Sequence, residues 1–348
     1  MCNIAGYVGN QPAAPILLDL IERQEGLAGG YYTGLATIHE GTLHYHKVVG
    51  DLAHLRASTD ADDLPGTIGI VHSRSNSGGD HEWSHPFVGC DDRLAYVANG
   101  STGAWKDDPR LPAGAQRLAD ANHVFRSAHA GAVGGYPMLR DGTCVHMSDV
   151  MAHAIGDALD ASGDPEHAIR SAFLELPSEI VGLCVTVSQP DRIFGARWNL
   201  PVCAARDASG TYLASSPQAF ARSLAWWTWI PPGSVFSASA DRLCLSPLGP
   251  PAAEITDDIS RGLAREVILD ALAGEDALSV GQLMERTTPL SAREELVVRY
   301  DPVYETLDEL ERQGLITRDI QRVAGADDGL TAPRFVYRTT SENRAAQA

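Results

Sequence analysis

Cys2-Asn3-Ile4-Ala5-Gly6-Tyr7-Val8-Gly9 is the stretch whose reading decides the fold. It is a short apolar run closed by Gly9-Asn10, the pattern of a buried strand. The run begins at a cysteine next to the initiator methionine. The small side chain of Cys2 suits removal of Met1. A thiol and a free α-amine would then share one residue. An α-amine titrates at about 7.7–8.0 and is placed to take the thiol proton through a water. Position alone does not separate this reading from an accidental cysteine, so the neighbouring strands decide.

Two later segments complete the pattern. Gly69-Ile-Val-His-Ser-Arg-Ser-Asn-Ser-Gly-Gly79 is a strand feeding a small-residue loop with one arginine. Leu94-Ala-Tyr-Val-Ala-Asn-Gly100 is a strand ending in Asn-Gly. In this order and spacing the three segments resemble the glutaminase domain of class II, N-terminal-nucleophile glutamine amidotransferases, over residues 2–215. The resemblance implies an α+β fold, a four-layer αββα sandwich. It also implies roles. Cys2 attacks the side-chain amide carbon of glutamine. The Asn99 side chain and the Gly100 backbone N–H form the oxyanion hole, where negative charge develops in the tetrahedral intermediate. Arg74 clamps the substrate α-carboxylate with a planar fork that lysine lacks. Ser77 is a neighbouring hydroxyl in that loop.

The pattern also departs from the family. Ala28 stands where an arginine is expected. The family binds the substrate α-amine with an aspartate just before a helix. In His146-Met-Ser-Asp-Val-Met-Ala-His153 an ungapped match puts Met147 there, and a shift of two residues puts Asp149 there. Asp149 is the candidate substrate ligand; its other reading is an acid favoured by the helix dipole. His81-Glu-Trp-Ser-His85 spells a zinc-protease motif, but Gly78-Gly79 before it and Pro86 after it oppose a helix that would align both histidines. His85-Pro86 instead resembles a pair in the amidotransferase loop. No metal and no cofactor is expected.

Further strands are predicted at Leu35–His39, Leu43–Val48, Leu183–Ser188, Arg192–Ala196, Val202–Arg206 and Tyr212–Ala214, and helices at 14–25, 148–160, 165–175 and 217–225. Strands not strictly alternating with helices argue for stacked antiparallel sheets. Ser246-Pro-Leu-Gly-Pro-Pro-Ala-Ala253 can continue neither a helix nor a central strand. This divides the chain into an amidotransferase domain at 1–250, a linker at 251–259, a further domain at 260–340 and a tail at 341–348. The further domain reads as three helices (Leu263–Leu272, Ser279–Glu285 and Val303–Gln313) and two strands, Leu315–Val323 and Arg334–Arg338. Its element order resembles a winged helix. Val303, Leu307 and Leu310 should pack on the first of these helices and leave an acidic face outward for a partner.

The chain has 348 residues, 44% hydrophobic and 21% charged, with a net charge of −18. That is globular composition, and its sign opposes nucleic acid and anionic membrane. Residues 259–348 carry 11 arginines against 16 acids, so the winged helix too argues for a protein partner or homo-oligomer over DNA. No apolar run reaches the roughly 18 residues of a membrane span. The six cysteines lie apart with no CxxC and no visible secretion signal, as in a cytoplasmic protein. The expected activity is hydrolysis of L-glutamine to glutamate and ammonia, the ammonia going to an acceptor on a separate subunit. Two alternatives stand: an N-terminal-nucleophile hydrolase of another γ-glutamyl or amide substrate, and a non-enzymatic small-molecule sensor with winged-helix output.

Overall fold

The computed structural model describes residues 2–222, 224, 226–249, 255–257, 261–287, 296–298 and 300–340. The strand Asn3–Gly9 lies inside a seven-stranded sheet, between Gly210–Ala214 and Ile68–Arg74. Cys203–Arg206 and Trp227–Trp229 extend that sheet on one side, Tyr32–His39 and Thr42–Val49 on the other. A six-stranded sheet runs in the order Leu243–Pro247, Ser234–Ala238, Ile193–Arg197, Glu179–Thr186, Leu94–Ser101, Phe87–Val88. Neighbouring strands in both sheets pair antiparallel.

Strand alternation sorts the side chains into layers. Ile4 and Val8 point between the sheets, with Ile70, Val97, Leu183 and Phe236. Ala5 and Tyr7 point the other way, onto Leu17, Leu18 and Ile21 of helix Ala13–Glu22. The second sheet carries helices Arg110–Asp120, Met147–Ser162 and Pro165–Glu175 on its outer face, through Met151, Ile155, Ile169 and Phe173. The result is helix, sheet, sheet, helix. Ile4 is fully buried in the central layer, so Ile4→Ala would cost about 2–5 kcal/mol. By the same alternation Cys2 shares the inter-sheet face with Ile4, at the end of that apolar row.

Where the sequence predicts helix at 217–225, the structure has a single 3₁₀ turn at Pro217–Ala219, then the strand Trp227–Trp229. Pro217 starts the turn, capped by the Ser216 hydroxyl, and Phe220 leaves it in extended backbone and packs under the first sheet. Helices Leu52–Ser58 and Arg110–Asp120 were not anticipated.

Beyond residue 260, helices Arg261–Gly274, Val280–Thr287 and Tyr300–Arg312 pack on a sheet ordered Leu278–Ser279, Thr331–Thr339, Ile316–Ala324. Val303, Leu307 and Leu310 pack with Ile268 and Leu272, as the spacing predicts. The acidic face of Tyr300–Arg312 does not stay outward. Asp301 takes two hydrogen bonds from the buried Arg197 Nη2, at 2.8 and 2.7 Å. Trp229 Nε1 donates to Glu305 at 3.0 Å, and Gln218 Nε2 to Glu311 at 3.2 Å. These donors come from the first 250 residues; Arg197 offsets the charge of Asp301, and Arg261 and Arg318 pair with Glu305 and Glu311. Most of the 251–259 linker and the whole 341–348 tail lie outside the described residues; Ile255–Asp257 forms a strand parallel to Leu296–Val298.

Candidate active site

Asn3 pairs with Ser73, which sets Cys2 beside Arg74 at one end of the first sheet. Asn99 and Gly100 come from Leu94–Ser101 of the facing sheet. The two sheet ends enclose a cavity of about 400 Å³ whose wall includes Cys2, Arg74, Ser77, Gly100, Tyr136 and His146. Asn99 is fully buried behind it, and its Oδ1 accepts from the Cys2 backbone N–H at 2.8 Å. Gly100 has a φ of 112°, which an L side chain rarely adopts. Met1, whose removal the reading needs, lies outside the described residues.

The Cys2 thiol faces Ser75 Oγ at 3.7 Å. Burial pushes its pKa up, but the neighbouring His72 ring, the chain's amino terminus and a Ser75 backbone contact outweigh burial and lower it to about 6. His72 Nε2 donates to the Ala98 carbonyl at 3.0 Å, and the His72 ring stacks on His85 at 3.8 Å. Burial, then the charges of His72 and His146, hold His85 well below the usual histidine range. Burial, then Arg74, does the same to His146. His85 and His146 are therefore neutral at pH 7. Sequence reasoning noted His85 only for its Pro86 and missed His72 and His146; the His72-Ser-Arg74 adjacency was the available signal.

Arg74 is 1% exposed, an unusual place for an arginine. Its guanidinium lies 4.6 Å from the Tyr32 ring centroid, and Nη2 donates to the Gly78 carbonyl at 2.8 Å. Nη1 is buried with no partner among the described residues. A buried cation with a free donor on a cavity wall suits an anionic substrate group. Ser77 is exposed at the rim. Ala28 ends the helix Glu25–Ala28 and does not line this cavity. Tyr300 does, so the region beyond residue 260 supplies part of the wall.

Asp149 is not at this site. It is fully buried, and its Oδ2 accepts from the Ser127 N–H at 2.9 Å and hydroxyl at 2.8 Å. The reason is the helix start. His146 is the N-cap, its Nδ1 accepting from Ser148 N–H at 3.0 Å, which puts His146 on the cavity and turns Asp149 toward Ser127. Met147 is buried in the core under the second sheet. No carboxylate lines the cavity among the described residues. His81 sits at the surface, within 3.0 Å of the Lys47 carbonyl, while His85 is buried, so the zinc-protease spelling has no structural counterpart.

No family model matches the chain. It is 27% identical over 222 residues to a glutamine–fructose-6-phosphate aminotransferase (isomerizing) of Pyrococcus horikoshii, covering 63% of this chain and 33% of that protein. It is 28% identical over 218 residues to that of Methanothermobacter thermautotrophicus, covering 62% and 33%. The chain thus matches about a third of the length of these relatives. Among solved structures, glutamine phosphoribosylpyrophosphate amidotransferase from B. subtilis, complexed with ADP and GMP, superposes with a TM-score of 0.58 at 15% identity, over 91% of this chain and 66% of that one. A structure described as the allosteric regulatory enzyme of purine biosynthesis gives 0.57 at 16% identity, over 80% and 58%. These two likenesses establish the fold.

Proposed function

We propose, from its homology to the glutamine–fructose-6-phosphate aminotransferases and its class II amidotransferase fold, that the chain is a glutamine-hydrolysing enzyme with Cys2 as nucleophile. The observation that carries this is one cavity holding a thiol with a pKa lowered to about 6, a buried arginine with a free donor, and an Asn-Gly pair beside the thiol. With Met1 removed, the nitrogen now bonded to Asn99 becomes the α-amine. Cys2 sulfur attacks the amide carbon, and the oxygen takes up negative charge against Asn99 and the Gly100 N–H. The α-amine, protonated at the start of the step, passes a proton to the departing nitrogen and ammonia leaves. Water then attacks the thioester, releasing glutamate and the thiol. Arg74 holds the α-carboxylate throughout.

We propose that the ammonia goes to an acceptor outside the described residues. Residues 1–250 carry the chemistry. Residues 260–340 are assigned to a winged-helix-like domain, supported by element order and the antiparallel pairing of Leu278–Ser279 with Thr331–Thr339.

A second reading has its own support. With no acid on the cavity wall, a free α-ammonium lacks an ionic partner there. An amide substrate that keeps the carboxylate but blocks or lacks the amine fits the same wall. The test is one experiment with two substrates. A diazo-ketone analogue of glutamine should add one equivalent at Cys2, and Cys2→Ala should abolish ammonia release. Comparing kcat/KM for glutamine and an Nα-acyl glutamine then separates the readings. Labelling at Cys90 or Cys144 in place of Cys2 refutes both.

A further inference from the structure

Asp149 leads away from the cavity to a cluster the proposed chemistry does not use. Cys90, His123 and His153 come from three segments, the turn after Phe87–Val88, the loop after Arg110–Asp120 and the helix Met147–Ser162. Cys90 Sγ lies 3.8 Å from His123 Nδ1 and 3.6 Å from His153 Nδ1, and the two Nδ1 atoms lie 3.2 Å apart. A tetrahedral zinc ion with Zn–S of about 2.3 Å and Zn–N of about 2.0–2.1 Å requires S···N near 3.6 Å and N···N near 3.3 Å. The three atoms therefore outline one face of a tetrahedron of zinc size. We propose that they bind a zinc-like divalent cation, with water in the fourth position.

The outer faces of both rings support this. His123 Nε2 meets Asp157 Oδ1 at 2.8 Å, and His153 Nε2 faces Asp149 Oδ1 at 3.4 Å. A carboxylate accepts and does not donate, so the His123 ring turns its N–H outward and its Nδ1 lone pair inward, while His153 Nε2 and Asp149 Oδ1 are both buried with no hydrogen-bond partner among the described residues, so a proton on that nitrogen would meet the carboxylate. With His153 in the same tautomer, two nitrogen lone pairs 3.2 Å apart and a sulfur beside them form a donor set for one cation. Carboxylate behind histidine is also the arrangement that fixes ring orientation at metal sites. Val124 N–H points at Cys90 Sγ at 3.5 Å and helps to orient the sulfur. On binding, the thiol proton goes to solvent and the sulfur pair bonds the metal. Soft sulfur with two imidazoles selects zinc over magnesium or calcium. The ion would tie the turn following His85 to the helix that begins at His146, bracing two histidines of the cavity wall from outside. In sequence the ligands are too far apart to form a motif.

The test uses the full chain without an affinity tag, stripped with chelator and titrated with Co²⁺. One equivalent should bind, with a near-ultraviolet thiolate-to-cobalt band and intense visible bands of tetrahedral cobalt, all displaced by Zn²⁺. The bands should survive Cys2→Ser, because Cys2 also neighbours histidines, and vanish in Cys90→Ser and His123→Gln. Asp157→Asn, at a half-exposed position, should weaken binding by about 10–100-fold. Cys90 is exposed, and circular dichroism should show C90S folded. The proposal is overturned if no charge-transfer band forms, if the band persists in C90S, or if it is lost only in Cys2→Ser.

Discussion

The lowered thiol pKa gives a prediction that can be worked through in numbers. Alkylation by a small reagent follows the thiolate fraction. With a pKa of about 6, Cys2 is roughly nine-tenths thiolate at pH 7 and one-tenth at pH 5. Its rate with iodoacetamide should fall about tenfold per pH unit below 6 and level off above 7. His72 supplies the two largest effects that lower the value, against burial that raises it. In His72→Ala the thiol should return toward its ordinary pKa of 9.0. At pH 7 a full return leaves about one part in a hundred as thiolate, a rate loss of up to about 100-fold. The site is read by mass spectrometry of the N-terminal peptide. A rate midpoint near pH 8.5 in the parent chain, or an unchanged rate in His72→Ala, would refute the electrostatic argument.

Three more expectations are testable on the same protein. Asn99→Ala should lower kcat for amide hydrolysis by about 10²–10³-fold with little change in KM, whereas Arg74→Lys should chiefly raise KM; steady-state ammonia release measures both. Glu25 is buried beside Asp51, and burial is the main cause that raises its pKa to about 7. The folded chain then keeps a proton that the unfolded chain releases between about pH 4.5 and 7, so this group lowers stability as pH rises through that window and has no further effect above it. Glu25→Gln should remove up to about 3 kcal/mol of that loss at one pKa unit per 1.4 kcal/mol; equal stability differences from the parent at pH 5 and pH 8 in urea would count against it. Asp301→Ala strands the fully buried Arg197 and should cost about 3–5 kcal/mol, checked by denaturant midpoint, and should raise KM because Tyr300 lines the cavity.

What the sequence made legible was local. Strands such as Ile68–Arg74 and Leu94–Ser101 announce themselves as apolar runs closed by small residues, and the nucleophile, arginine and Asn-Gly pair sit on their ends. Helix Arg110–Asp120 was hidden by Pro112 and Gly114, which read as breakers. In the fold Pro112 falls in the first turn, where a missing N–H costs nothing, and Gly114 lets the helix press on Leu176. The strands Trp227–Trp229, Ser234–Ala238 and Leu243–Pro247 were not anticipated; Pro231-Pro232 interrupts the apolar pattern between the first two. Asp149 was misjudged because direction on a helix depends on where the helix starts, and the His146 cap fixed that. The contributions of His146 and Tyr300 arise only when two sheets and a distant helix meet, so no spacing rule reaches them.

That meeting also changes what the region beyond residue 260 can be. As a detachable output module, its acidic helix would face solvent and wait for a basic partner. Instead Asp301, Glu305 and Glu311 take donors from Arg197, Trp229 and Gln218, and the Tyr337 hydroxyl donates to Gln218 at 2.9 Å. An ion pair this enclosed gains little net stability over an apolar contact, because both charges lose water. Its consequence lies in placement. Arg197, the last residue of a strand in the six-stranded sheet, also donates to backbone carbonyls at Ile230, just after a strand of the seven-stranded sheet, and Asn199, so the start of helix Tyr300–Arg312 is referenced to both sheets. Tyr300, one residue earlier than Asp301, is thereby held on the wall of the cavity that Cys2 also lines. Binding in the cavity and docking of the C-terminal region share that residue, and whatever loosens the seam must alter the shape of the site.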